Sequence, residues 1–138
     1  MLNPYAQTKL ELEQIAPAHS IGLRFHTVYG PLGRPDMLIR KLQEDKCNYI
    51  TNHNRDFTHV YDVVEALKIC IFEDVQPGIY DVGFGESVPV KKVAELMGKN
   101  LPYKTVQNEM TSTLSDISKL TEYGWTPKIN IEKGLKLI

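Results

Sequence analysis

Apolar positions along the chain alternate between helical spacing and short extended runs. Over residues 5–16, Ala6, Leu10, Leu12, Ile15 and Ala16 suit a helix, with Asn3 as its cap, Pro4 in its first turn and Pro17 against continuation. Residues 21–25 read as a short strand that runs into a loop over 29–35, where glycines and prolines crowd together. Asp36 is placed to cap a second helix through Lys46, with Met37, Leu38, Ile39 and Leu42 on its buried side. Residues 47–51 predict a strand, 52–54 a turn and 57–60 a short extended stretch. Asp62 is placed to cap the clearest helix, 63–72, whose Val63, Val64, Ala66, Leu67, Ile69 and Cys70 are apolar. A strand over 78–83 closes in the turn Gly83-Phe84-Gly85, and a helix over 90–97 ends at Gly98. Residues 101–107 read as extended and 108–115 as loop; 116–120 form a short helix headed by Asp116, stopped by Gly124 and Pro127, and 131–138 a last helix. This alternation of helices and strands argues an α/β fold.

Length and charge narrow the picture. A chain of 138 residues with 42% hydrophobic and 24% charged residues fits one ordered domain with a real core. Its formal charge of −1, from 16 basic and 17 acidic residues, offers no field for nucleic acid or an anionic membrane. An anion must then be held by a few placed groups. The two cysteines, Cys47 and Cys70, read as ordinary thiols, and His19, His26, His53 and His59 lack zinc-ligand spacing. No stretch has the length of a membrane span and no leader pattern opens the chain, so the cytoplasm is the expected location.

Candidate chemistry starts with Tyr5 and Lys9, four positions apart on the first helix and therefore on one face. A neighbouring ammonium stabilises a phenolate, and a tyrosine tuned in this way can exchange a proton with a sugar hydroxyl. Taken alone the pair is a weak signal, and a plain surface pair on a helix is the better reading of it.

The rest of the chain adds ordered motifs. Asn3-Pro4-Tyr5-Ala6-Gln7-Thr8-Lys9 is followed by Gly22-Leu23-Arg24-Phe25-His26-Thr27-Val28-Tyr29-Gly30-Pro31 and by Gly33-Arg34-Pro35-Asp36-Met37. Arg55-Asp56-Phe57-Thr58-His59-Val60-Tyr61-Asp62-Val63-Val64-Glu65-Ala66 comes next, then Tyr80-Asp81-Val82-Gly83, Ser115-Asp116-Ile117-Ser118-Lys119 and Gly124-Trp125-Thr126-Pro127. In this order the chain resembles the C-terminal half of the extended short-chain dehydrogenase/reductases, the NAD-dependent epimerases and dehydratases, and most of all UDP-glucuronate 4-epimerases.

The resemblance implies a partial Rossmann-like parallel sheet plus a small α/β substrate-binding domain, with 1–138 as the C-terminal part and the dinucleotide-binding half missing. It implies that Tyr5 is the acid/base tyrosine and that Lys9 lowers its pKa and contacts the nicotinamide ribose of NAD. Thr27 and Arg34 match positions facing the sugar, where Arg34 pairs with a uronate carboxylate. Arg55 matches the arginine that holds the substrate diphosphate, and Glu109 falls near the nucleoside, where the family usually has aspartate.

Plainer roles stand beside these. Arg34 also reads as a solvated loop charge, and Arg55 as half of a local ion pair with Asp56. Asp62 and Asp116 read as helix caps, His26 as packing in the substrate pocket, His59 as a strand residue with a satisfied ring, and Trp125 as core.

Departures from the family pattern bear on activity. The chain has no G-x-x-G-x-x-G or G-x-G-x-x-G, so tight NAD binding by the chain alone is not expected. The family's third catalytic hydroxyl lies about two dozen residues before the tyrosine, and an arginine common before the Glu109 position is replaced by Val106-Gln107. Two functions fit. One is the nucleotide-sugar-binding half of an epimerase or dehydratase, inactive without its other half. The alternative is a non-enzymatic remnant that binds a nucleotide sugar or dimerises through its first helix. Either way one sheet edge and both sheet faces are expected to lie uncovered, which predicts a homo-oligomer or a complementing N-terminal half.

Overall fold

A computed structural model describes residues 3–107 and 110–138. The chain runs α1 (Pro4–Ile15), β1 (Ile21–Phe25), β2 (Val28–Tyr29), α2 (Leu38–Gln43), β3 (Ile50–Thr51), β4 (Asn54–Asp56), β5 (Thr58–His59) and α3 (Val60–Phe72). It continues through β6 (Gly78–Val82), β7 (Ser87–Pro89), α4 (Val90–Leu96), β8 (Tyr103–Lys104), α5 (Ser118–Thr121) and α6 (Ile131–Gly134), closing in a 3-10 turn at Leu135–Leu137.

Two cores organise these elements. β1 and β6 pair in parallel, from Ile21 opposite Gly78 to Phe25 opposite Val82. One face of this pair, carrying Leu23, Tyr80 and Val82, packs on Val63 and Ala66 of α3 together with Leu120 and Trp125. The second core joins Tyr29, Ile39, Leu42, Ile50, Phe57, Val88, Val90, Val93, Ala94 and Ile131. Around it lie the parallel pairs β2–β5 and β3–β8 and the antiparallel pair β4–β7. Parallel pairs need long crossovers, and α3 supplies the one between β1 and β6.

α1 begins as expected, with Asn3 Oδ1 accepting the Ala6 amide at 2.7 Å. It buries none of its residues. Glu13 ties it to the sheet, gripped by both arms of the Arg24 guanidinium at 2.6 Å. The helix over 90–96 also ends as expected, with Gly98 at φ +71, where a side chain would be strained.

Several expectations are corrected. The face of β1–β6 that meets α3 is covered, because the apolar side of that helix and Trp125 lie against it. α2 starts at Leu38 with no side-chain cap, because the Asp36 carboxylate is drawn back to Arg34. α3 is capped by His59, whose Nδ1 accepts the Tyr61 amide at 3.3 Å. Asp62 instead sits inside the first turn and accepts the amides of Lys128 and Ile129 at 3.0 and 2.9 Å, pinning a distant segment. Asp116 does hold the head of α5, accepting the Ser118 amide at 3.1 Å. The strand expected at 47–51 shrinks to Ile50–Thr51, and β7 was not foreseen because it is short and ends in proline.

His59 is only half satisfied. It is fully buried between Tyr29 and Tyr61, with ring centroids 5.2 and 4.8 Å away, and its Nε2 lacks a hydrogen-bond partner among the described residues. Burial lowers its pKa, against the opposing pull of Asp62. The neutral ring is thus the form the fold favours, and its stabilising effect is complete above the ordinary value of 6.5. As pH falls through the lowered folded value, Nδ1 gains a proton and the cap is lost, at a cost of about 1 kcal/mol. Urea unfolding at mildly acid and neutral pH is expected to show this loss in the native chain and a smaller one in His59→Asn, which keeps an acceptor that does not titrate.

Candidate functional site

A cavity of about 540 Å³ opens beside β4, and Thr27, Tyr29, Lys41, Tyr49, His53 and Arg55 are among its walls. Each wall follows from local structure. Thr27 sits in the link between β1 and β2, where its carbonyl accepts the Thr58 amide at 2.9 Å. Alternation along β4 turns Arg55 toward the cavity and Asp56 into the interior. The Arg55 guanidinium rests on two carbonyls, its Nη1 donating to Asn54 at 3.0 Å and Thr111 at 3.2 Å.

The cavity is basic. Among the described residues, Arg40, Lys41, Lys46 and Arg55 line it against the carboxylate of Asp36. Glu44, outside the lining, takes up Arg40 at 2.5 Å and Lys46 at 2.6 Å, and these two cations hold its carboxyl below the usual range, Lys46 first. Lys41 has no ion-pair partner among the described residues. Arg55 and Lys41 give the wall a cationic side, and Phe57, Val90 and Ile39 give it an apolar one. Sequence reasoning missed Lys41, Lys46, Tyr49 and His53; the run of bases over 40–46 was the signal for the first two.

The other expected site residues lie elsewhere. Tyr5 and Lys9 share a face as predicted, with Lys9 Nζ 5.4 Å from the Tyr5 ring centre, yet Tyr5 is 71% exposed and neither lines the cavity. Arg34 is not among the cavity's walls either. Its fork is filled by Asp36, Nε to Oδ1 at 3.1 Å and Nη2 to Oδ2 at 2.9 Å, with side chains 73% and 65% exposed. Glu109 lies outside the described residues. The local ion pair between Arg55 and Asp56 does not form, because Asp56 turns inward to backbone amides. His26 is not in the cavity wall but 3.5 Å from Asp81, at the end of β1.

The glycine turn after β6 is the nearest thing to a phosphate cradle. The amides of Phe84 and Gly85 are already donated to Asp56, at 2.7 and 3.0 Å. Neither of these two amides is free for a pyrophosphate.

Comparison with known proteins adds the family context. Residues 1–83 match the model of the NAD dependent epimerase/dehydratase family. A UDP-glucuronate 4-epimerase from Thermodesulfobacterium geofontis is 32% identical, over 98% of this chain and 49% of its own length. A CDP-abequose synthase from Salmonella muenchen is 31% identical, over 94% of this chain and 50% of its own. Among solved structures, MoeE5 in complex with UDP-glucuronic acid and NAD superposes with a TM-score of 0.84 at 29% identity, over 99% of this chain and 54% of that one. The chain spans about half the length of the relatives it matches.

Proposed function

Because the chain belongs to the NAD-dependent epimerase/dehydratase family, we propose that it is the nucleotide-sugar-binding part of an enzyme that oxidises a sugar carbon and then epimerises or dehydrates the sugar. The observation that carries this reading is the basic cavity with Arg55 and Thr27 in its wall. Arg55 and Lys41 neutralise the diphosphate, and Thr27 meets the sugar. Bound NAD supplies the hydride acceptor in this family, and Tyr5 and Lys9 would meet it at its nicotinamide ribose. Tyr5 and Lys9 are the acid/base pair, idle until a complementing half brings the cofactor to them. The cytoplasm, where such a complement can meet it, is the proposed location.

The test is turnover. The chain with NAD and UDP-glucuronate is expected to yield no epimer, and addition of the separately expressed glycine-rich half of a relative is expected to restore it. Tyr5→Phe then abolishes the restored activity. Turnover by the chain alone contradicts the half-site reading.

A second reading has its own support. α1 buries nothing, and Leu10, Leu12 and Ile15 are exposed on it. Apolar surface of this kind pairs with a partner, either a second copy or the complementing half. Light scattering is expected to report an oligomer that Leu12→Glu dissociates.

Arg34 makes a smaller prediction. Asp36 occupies the guanidinium fork proposed for the uronate carboxylate. Asp36→Asn is expected to tighten UDP-glucuronate binding about threefold more than UDP-glucose binding, since exposed pairs of this kind are worth about 0.5 kcal/mol. Parallel titrations of the two sugars check it.

A further inference from the structure

Asp56 stands next to Arg55 in β4 but faces the interior, where it is fully buried. Its Oδ1 accepts the Phe84 amide at 2.7 Å. Its Oδ2 accepts the amides of Gly85 and Ser115, each at 3.0 Å, and the Ser115 hydroxyl. The Asp56 amide in turn donates to Thr113 Oγ1 at 3.3 Å. All the groups on the two oxygens are donors, an arrangement a carboxylate satisfies and a carboxamide does not, because its NH2 would face an N–H. Space is closed around the cluster: a Cβ on Gly83 would stand 2.7 Å from Asp56 Oδ2 and collide with the Ser115 side chain.

These bonds hold the 111–115 segment against β4. The Asn54 amide donates to the Thr111 carbonyl at 2.7 Å, and the Thr113 amide to the Asn54 carbonyl at 3.2 Å. Arg55 Nη1 rests on the same two carbonyls, Asn54 and Thr111. The guanidinium at the cavity wall therefore leans on a segment whose far end is anchored by the carboxylate on the opposite side of the strand.

We propose that Asp56 is a positioning residue for nucleotide-sugar binding: its buried carboxylate clamps the 83–85 turn and the 111–115 segment onto β4 and so fixes the Arg55 guanidinium toward the substrate diphosphate. The inference rests on the reading of the cavity as the nucleotide-sugar site. It adds to that reading a second layer, in which the diphosphate contact depends on a group that never touches the ligand.

UDP and uridine, titrated separately into the full chain, separate positioning from general support. Asp56→Asn is expected to weaken UDP binding roughly tenfold and uridine binding little, because the loss falls on the phosphate contact. The ratio of the two affinities then falls toward that of Arg55→Ala, and the double variant loses no more than Arg55→Ala alone. Equal losses for both ligands, or losses that add in the double variant, overturn the proposal. Ser115→Ala removes one bond of the clamp and covers the case in which Asp56→Asn does not fold; it is expected to lower the same ratio by less, and an unchanged ratio overturns the proposal. If the unaltered chain binds neither ligand, the assignment of the cavity fails on its own. The clamp is then decided by the Arg55 Nε–H signal in NMR, expected to exchange faster with solvent in either variant; an unchanged signal overturns it.

Discussion

Trp125→Ala is expected to lower the unfolding free energy by about 4 kcal/mol, near the top of the range for loss of a large buried aromatic. Trp125 is 2% exposed and fills the space between α3, Val82 and Leu120. Its indole N–H also donates to the Asp62 carbonyl at 3.0 Å in a buried position. The alanine variant thus leaves a cavity and an unfilled acceptor in one place. Asp62 shares the contact, since its carboxylate holds the amides of Lys128 and Ile129 just beyond the tryptophan. Combining Trp125→Ala with Asp62→Asn is therefore expected to cost less than the sum of the two. Urea unfolding followed by far-ultraviolet circular dichroism measures both, and a loss under about 1 kcal/mol for Trp125→Ala would place that residue outside the core.

Arg55→Ala is expected to weaken UDP binding by about a hundredfold, or roughly 2–3 kcal/mol, the scale of a charge-assisted contact in a partly enclosed site. The side chain is half-buried, already oriented by the carbonyls of Asn54 and Thr111, and so loses little freedom when an anion arrives. Arg55→Lys keeps the charge without the fork and is expected to recover part of the affinity. Arg34→Ala, which removes a residue outside the cavity wall, is expected to leave UDP binding unchanged. Isothermal titration distinguishes the three variants, and similar losses for Arg34→Ala and Arg55→Ala would mean that the cavity has no focused phosphate site.

Much of the fold was legible in the sequence where one local signal dominated. Asn3-Pro4 set the start of α1, Gly98 the end of α4, and the 3.6-residue repeat the body of α3. The misreadings share a cause, since each involves a polar group whose partner is distant or unexpected. Asp62 looks like a cap from its neighbours alone, but its partners are Lys128 and Ile129. Asp36 looks like a cap as well, and is captured by Arg34 in the preceding turn. Asp56 reads as a partner for Arg55 next to it, although strand alternation sends the two side chains to opposite sides.

The site was legible to a different degree. Thr27 and Arg55, singled out by the family motifs, line one cavity, while Lys41, Tyr49 and His53 reach it from α2 and the following segment without any motif of their own. Tyr5 and Lys9 keep the spacing of the acid/base pair on an exposed helix. Periodicity gives the shared face of such a pair, but not what lies across from it.

The cavity beside β4 is proposed to bind a nucleotide sugar without help from another chain. Titrating the 138-residue chain with UDP-glucuronate, with amide shifts followed by NMR, tests it directly. Saturable binding that UDP competes away is expected, with the largest shifts at Thr27, Thr51 and Arg55 and little change at Tyr5. Absence of binding at about millimolar ligand, or shifts confined to α1, would contradict it.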